Sequence, residues 1–289
     1  MAQTHSLDLE NGSSQYASGN AVAGDTNFTF EAWVKVESYA ANMVLLKNGT
    51  QAGAWMIQIT KGGLLRFTKD SVADYDSTAT VPIGVWTHVA VVKSGDAAGN
   101  LTFYMNGRTY ETASVGTVST PSGALRVSTN AGTANFFDGL IKDVRVFNSA
   151  RTQAEIISDA RTQNVSDANL VGEWNFNNAY TDSSGNGNTL TPSGSPVFST
   201  DIPWEGATQI SGSTYLETNL VSYYTLDKAS GTRADSHGAN DLTDNNTVGS
   251  APGIIENGAD FESNNSEYLS ITDASQTGLD PSTAISLTA

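Results

Sequence analysis

The stretch FFDGLIKDVRVFNSARTQAEII, Phe136 to Ile157, changes its period halfway. From Leu140 it alternates. Leu140, Lys142, Val144 and Val146 fall on one side, and Ile141, Asp143, Arg145 and Phe147 on the other. Period-two alternation predicts a strand, and apolar residues on both sides predict that both of its faces are covered. Asp138-Gly139 at its start predicts a tight backbone approach. Thr152 followed three residues later by Glu155 is a capping box, and Ala154, Ile156, Ile157 and Ala160 complete a short amphipathic helix.

Other strands can be read outward from there. Residues 27–36, NFTFEAWVKV, put Phe28, Phe30, Ala32, Val34 and Val36 on one face and Thr29, Glu31, Trp33 and Lys35 on the other. Further strands are predicted at 6–10, 43–47, 55–60, 64–68, 86–92 and 101–105. Gly62-Gly63 and Asn106-Gly107 supply hairpin turns. In order, the phrases around Thr29–Lys35, Trp86–Val92, Leu101–Gly107 and Phe137–Asn148 resemble laminin-G-like and pentraxin-like domains over roughly residues 5–160. The resemblance implies an all-β fold: an antiparallel two-sheet jelly-roll sandwich of the concanavalin A-like type.

The chain also repeats itself. Leu170-Val171-Gly172-Glu173-Trp174-Asn175-Phe176, then Asp182-Ser183-Ser184-Gly185 and Leu190-Thr191, is echoed by Leu220-Val221-Ser222-Tyr223-Tyr224-Thr225-Leu226, Asp235-Ser236-His237-Gly238 and Leu242-Thr243. Asp8-Leu9-Glu10 and Ser14–Ser18 are echoed by Asp260-Phe261-Glu262 and Ser266–Ser270, and Phe28–Ala32 by Ile285–Ala289. The repeats predict tandem modules: a complete one over 1–204, a polar connector over 205–219, and the opening part of a second over 220–289. The first then reads as circularly permuted, with the strand around Trp174 completing it from the C-terminal side. Three separate repeat starts are the alternative.

Thirty acids against fourteen bases give a net charge of −16, which repels phosphate backbones and argues against nucleic acid. Cysteine is absent, which excludes a disulfide scaffold and a thiol nucleophile. No apolar run is long enough to insert in a membrane, and MAQTHSLDLENG is not a signal peptide. An extracellular or virion-surface location is the expectation.

No catalytic constellation is present, and no enzyme is expected. The glu-x-asp-x-x-glu strand of related jelly-roll glycanases does not occur. Asp8 and Glu10 share a strand face, but the resemblance places Asp8 at a structural acid. His88 is expected to be a hydrogen-bonded structural residue. Aromatic rings that could stack on sugars are Trp33, Trp55, Tyr75 and Tyr104, with Asp76 as a polar neighbour in the loop Asp74-Tyr75-Asp76. For Trp33 and Trp86 the better reading is as plugs of the sandwich. The loop Asp182-Ser183-Ser184-Gly185-Asn186-Gly187-Asn188 reads two ways. It is a tight Asx-Gly turn, or a Ca²⁺ loop with Asp182, Asn186 and Asn188 as oxygen donors. A pentraxin-type calcium site would need acids where the chain has Ser128-Thr129-Asn130.

The functional expectation is a non-catalytic binding or adhesion module for glycan or surface protein. The alternative is a structural virion component (tail, fibre or decoration protein) that self-assembles or packs against virion neighbours.

Overall fold

The computed structural model describes residues 3–39, 41–203, 221–226, 228–236, 238–252, 257–277 and 279. They fall into two compact units, 1–207 and 208–289. The whole of the predicted connector, 205–219, and the echo at 285–289 lie outside the described residues.

The first unit contains, in order, β1 (Ser6–Leu9), β2 (Tyr16–Asn20), β3 (Asn27–Val36), β4 (Met43–Asn48), β5 (Trp55–Ile59), β6 (Leu64–Lys69), β7 (Ala73–Thr80), β8 (Thr87–Ser94), β9 (Leu101–Met105) and β10 (Arg108–Ala113). There follow β11 (Ala124–Val127), β12 (Gly139–Phe147), α1 (Gln153–Ala160), β13 (Leu170–Trp174), β14 (Thr191–Ser193) and β15 (Val197–Ser199). One sheet runs β10-β9-β8-β3-β12-β1-β15, with β13 also on β12; the other runs β14-β2-β11-β4-β5-β6-β7. All pairings are antiparallel. This is a jelly-roll sandwich. Its core lies between the sheets, with Phe28, Phe30, Val34, Trp55, Ile57, Phe67, Phe103, Ile141 and Trp174 fully or almost fully buried.

Strand β12 is the centre of its sheet. One edge pairs with β3 along nearly its whole length. The other edge takes two short strands end to end, β1 against Gly139–Ile141 and β13 against Val144–Phe147. Between them β12 bulges. Lys142 lies opposite Trp33 and Arg145 opposite Glu31, so β12 carries one residue more than β3, and Asp143 takes a left-handed φ of 47°. The bulge corrects the face assignment read from alternation. Ile141 faces the core before it and Val144 and Val146 face the core after it, so Leu140 does not share a face with Val144. Lys142 closes the junction, donating from Nζ to the carbonyls of His5 and Asn175 at the ends of the two short strands. Gly139 has a φ of +136°, and a Cβ there would lie 2.2 Å from the Lys35 carbonyl, so only glycine fits this approach.

The capping box forms as predicted, and α1 begins at Gln153. The helix lies on the outer face of the eight-stranded sheet, with Ile156 packed on Ala90 and Val92. Its last carbonyls are satisfied from that sheet. Trp33 Nε1 donates to Ala160 O, and Arg145 donates to Asp159 O and Thr162 O.

In the second unit, β16 (Thr243–Asn245) pairs with β19 (Tyr268–Ser270), and β17 (Gly249–Pro252) with β18 (Asn257–Asp260). No helix among the described residues is long and apolar enough to cross a membrane.

Candidate functional site

The structure separates the residues that the sequence grouped as a sugar site. Trp55 is 0% exposed, stacked on Phe28 at 4.5 Å, with Nε1 donating to Gly24 O. Trp33 is 1% exposed because α1 covers its face. Tyr104 is half-buried against the small cluster of Ala90, Val92 and Ile156. Neither tryptophan offers a face to a sugar. Asp74-Tyr75-Asp76 is strand rather than loop, and alternation turns Tyr75 inward beside Phe67 while Asp74 and Asp76 point outward. Trp86, read as a plug, is instead only half-buried and donates to Asp201 Oδ1.

Asp76 therefore leads to the outer face of the seven-stranded sheet. Two rows of side chains cross it in register. One runs Ser18, Arg126, Lys47, Met56, Thr68, Asp74; the other runs Val44, Gln58, Arg66, Asp76. The polar members are cross-linked. Arg66 forks onto Asp76 through Nε and Nη2 at 2.6 and 2.8 Å and reaches Asp74 through Nη1 at 2.7 Å. Gln58 donates to Thr68 Oγ1, which donates to Asp74 Oδ1. Lys47 Nζ lies between Asp70 and Asn130. The hydrogen bonds that Arg66 donates to Asp76 hold its guanidinium above its ordinary pKa, so it stays charged. The solvent-facing end is Arg66, Asp74 and Asp76, a planar donor fork between acceptor pairs. The sequence signal for these residues was the polar phase of the alternation in Leu64–Lys69 and Ala73–Thr80, which fixes one face of each strand but not which strands adjoin.

The other concentration of ionisable groups is closed. Asp159 of α1 and, around it, Glu31, His88, Arg145, Arg151 and Glu173 are all buried. Burial raises Glu31 to about 7 against the pull of Arg145, and lowers His88 to about 3. His88 is therefore neutral at its 3.5 Å approach to Glu31. His88 is buried, but the hydrogen bonds expected of it do not form: Nε2 makes that approach to Glu31, and the ring packs edge-on against Trp33. Burial likewise raises Asp143 and Asp159 to about 6.

In the proposed calcium loop, Asp182 Oδ1 accepts the N–H groups of Glu173 and Ser184, and Oδ2 accepts that of Asn188. Asn186 and Asn188 donate their amides to Leu170 O and Val171 O. N–H donors directed at the carboxylate stand where a cation would, so this donor set fits the Asx turn and does not fit a hard cation. Among the described residues, no three acidic, histidine or cysteine side chains are grouped to hold a metal. Asp182→Ala is expected to cost about 1–3 kcal/mol by orphaning these N–H groups. Chelator should leave the melting temperature of the parent chain unchanged. A chelator-dependent fall that Asp182→Ala abolishes would restore the calcium loop.

Seven- and eight-stranded antiparallel sheets folded on one core define a concanavalin A-like sandwich. Residues 10–157, just over half of the chain, match the laminin G family model of the concanavalin A-like lectin/glucanases superfamily, and the chain belongs to that family. Among solved structures it is similar to a candidate carbohydrate-binding protein of Bacteroides ovatus, with 17% identity and a TM-score of 0.53 over 69% of this chain and 60% of that one. It is also similar to the heptameric SAP-like pentraxin of Limulus polyphemus, with 12% identity and a TM-score of 0.51 over 70% of this chain and 97% of that one. At these identities the likeness concerns the fold. No curated protein matches the chain.

Proposed function

We propose that the first unit is a non-catalytic binding module that recognises glycan, with the outer face of the seven-stranded sheet as its binding surface. The observation that carries this reading is the Arg66–Asp74–Asp76 fork at the open end of the registered polar rows. Vicinal hydroxyls of a neutral sugar both donate and accept, and a carboxylate–guanidinium pair offers both partners at fixed spacing. The fold likeness to a candidate carbohydrate-binding protein supports the same class. Ion pairs near a surface add little stability, so function and folding are separable here.

A glycan array probed with the full chain, followed by calorimetry on the strongest ligand, tests this. Arg66→Ala should weaken binding at least tenfold while costing no more than about 1 kcal/mol of stability. Retained affinity in Arg66→Ala would move the site elsewhere. Retention of no glycan would leave a protein surface as the partner class. A structural role in a larger assembly, such as a virion, is the second reading.

A further inference from the structure

The first unit holds a cavity of about 270 Å³ where the segment before β1, the end of β13 and the loop from β13 to β14 converge. It adjoins the β12 bulge, since Lys142 there donates to the Asn175 carbonyl. Phe176 and Asn178 take left-handed φ values of 52° and 58°. The chain reverses through them and returns along the cavity as Ala179, Thr181 and Ser183. Thr181 is exposed, so the cavity opens to solvent on that side. None of the lining side chains is ionisable.

Two lining amides are fixed with their oxygens unused. Gln3 commits Nε2 to Gln163 O at 2.6 Å. Asn175 commits Nδ2 to Asn164 Oδ1 at 2.8 Å and to Ser183 Oγ at 3.1 Å. These donations set which end of each amide is oxygen. Gln3 and Asn175 are 5% and 7% exposed, yet Gln3 Oε1 and Asn175 Oδ1 accept no hydrogen bond from the described residues. A buried acceptor left without a donor is costly.

The lining selects the chemistry of an occupant. Both unused groups are acceptors, so the occupant has to bring at least two donors. The Thr181 and Ser183 hydroxyls give and take hydrogen bonds, whereas Phe176 and Ala179 supply apolar wall. An ionic group would find no counter-charge among the lining residues. The volume is far above the share of one water, about 30 Å³. It falls just short of the roughly 300–1,000 Å³ of sites for drug-sized ligands. We infer that this cavity binds one neutral hexose ring, whose hydroxyls donate to Gln3 Oε1 and Asn175 Oδ1. The Arg66–Asp74–Asp76 fork belongs to the seven-stranded sheet, whereas Asn175 follows β13 of the eight-stranded one, so the two sites stand or fall separately.

The test uses the isotope-labelled full chain and reads the side-chain amide signals of Gln3 and Asn175 by NMR. The probes are D-glucose, D-galactose and D-mannose, with their methyl glycosides standing for the terminal ring of a glycan. At least one probe should shift both signals saturably. Response to the free sugar alone would assign a monosaccharide as ligand, and response to the glycoside the end of a chain. Ala179→Trp, which fills the cavity from its half-buried wall, should weaken this binding at least tenfold. Gln3→Ala, read at Asn175, should do the same, and Arg66→Ala should leave it unchanged. Three results would each overturn the inference. They are no saturable shift with any of these sugars (water as the sole occupant), shifts that spare both amides, and undiminished binding in Ala179→Trp.

Discussion

A chain ending at Asn169 is expected not to fold, whereas a chain ending at Pro203 should unfold cooperatively on heating. The shorter chain keeps everything the family match covers, yet it loses β13, β14 and β15. With them go Leu170, Trp174, Phe176 and Leu190, all buried. Burial of a leucine or phenylalanine contributes about 1.5–3 kcal/mol, and truncating a buried tryptophan costs about 3–5 kcal/mol. The loss is on the order of 10 kcal/mol, comparable with the whole stability of a domain at about 5–15 kcal/mol. The half of the β12 edge that takes β13 would be bared, as would the edges of β1 and β2 that take β15 and β14. Near-ultraviolet circular dichroism and a thermal melt of the two fragments would decide it. A sharp transition in the 169-residue chain would show that β13–β15 decorate a sandwich that is complete without them.

Arg145→Met is expected to destabilise the first unit by about 3–5 kcal/mol, because it leaves the buried Glu173 carboxylate without its partner. Arg145 Nε donates to Glu173 Oε1 at 2.7 Å, and its other nitrogens hold the carbonyls of Asp159 and Thr162. Glu31, Asp143 and Glu173 are all buried around it. Lysine should not rescue, since one ammonium cannot span three acceptors set out as a planar fork. The double variant Arg145→Met with Glu173→Met should lose less than the two single losses combined, since it no longer strands Glu173. Denaturant midpoints of the four proteins give the cycle. A loss below about 1 kcal/mol in Arg145→Met would mean that water reaches the cluster and solvates it.

The sequence was most legible where a local rule acts alone. β3 and β9 occupy their predicted residues, and the capping box starts α1. The closing strand was found, but its bulge was not. Asp143 in a left-handed conformation inverts the parity of every residue after it, and alternation alone assumes that parity is constant. Strands β2, β7, β10, β11, β14 and β15 lacked a clear signal, being short, polar or rich in Gly, Ser and Thr. They are strands because neighbouring strands supply their hydrogen bonds.

The candidate site divides in the same way. Trp33 is aromatic and shares a face with Glu31 and Lys35, and Trp55 is a second aromatic on a strand, which is all that spacing can report. A helix more than a hundred residues later covers the first, and the opposite sheet covers the second. Arg66, Asp74 and Asp76 become one group only when β6 and β7 pair in register. From its residues alone, the chain determined an all-β sandwich, its closing strand and helix cap, and a duplicated segment, because alternation, capping and repetition are written locally. Tertiary structure decided which faces are covered, where β12 bulges, that β13 lies end to end with β1, and which polar residues meet. Each of those depends on contacts between residues distant in the chain, which no local pattern encodes.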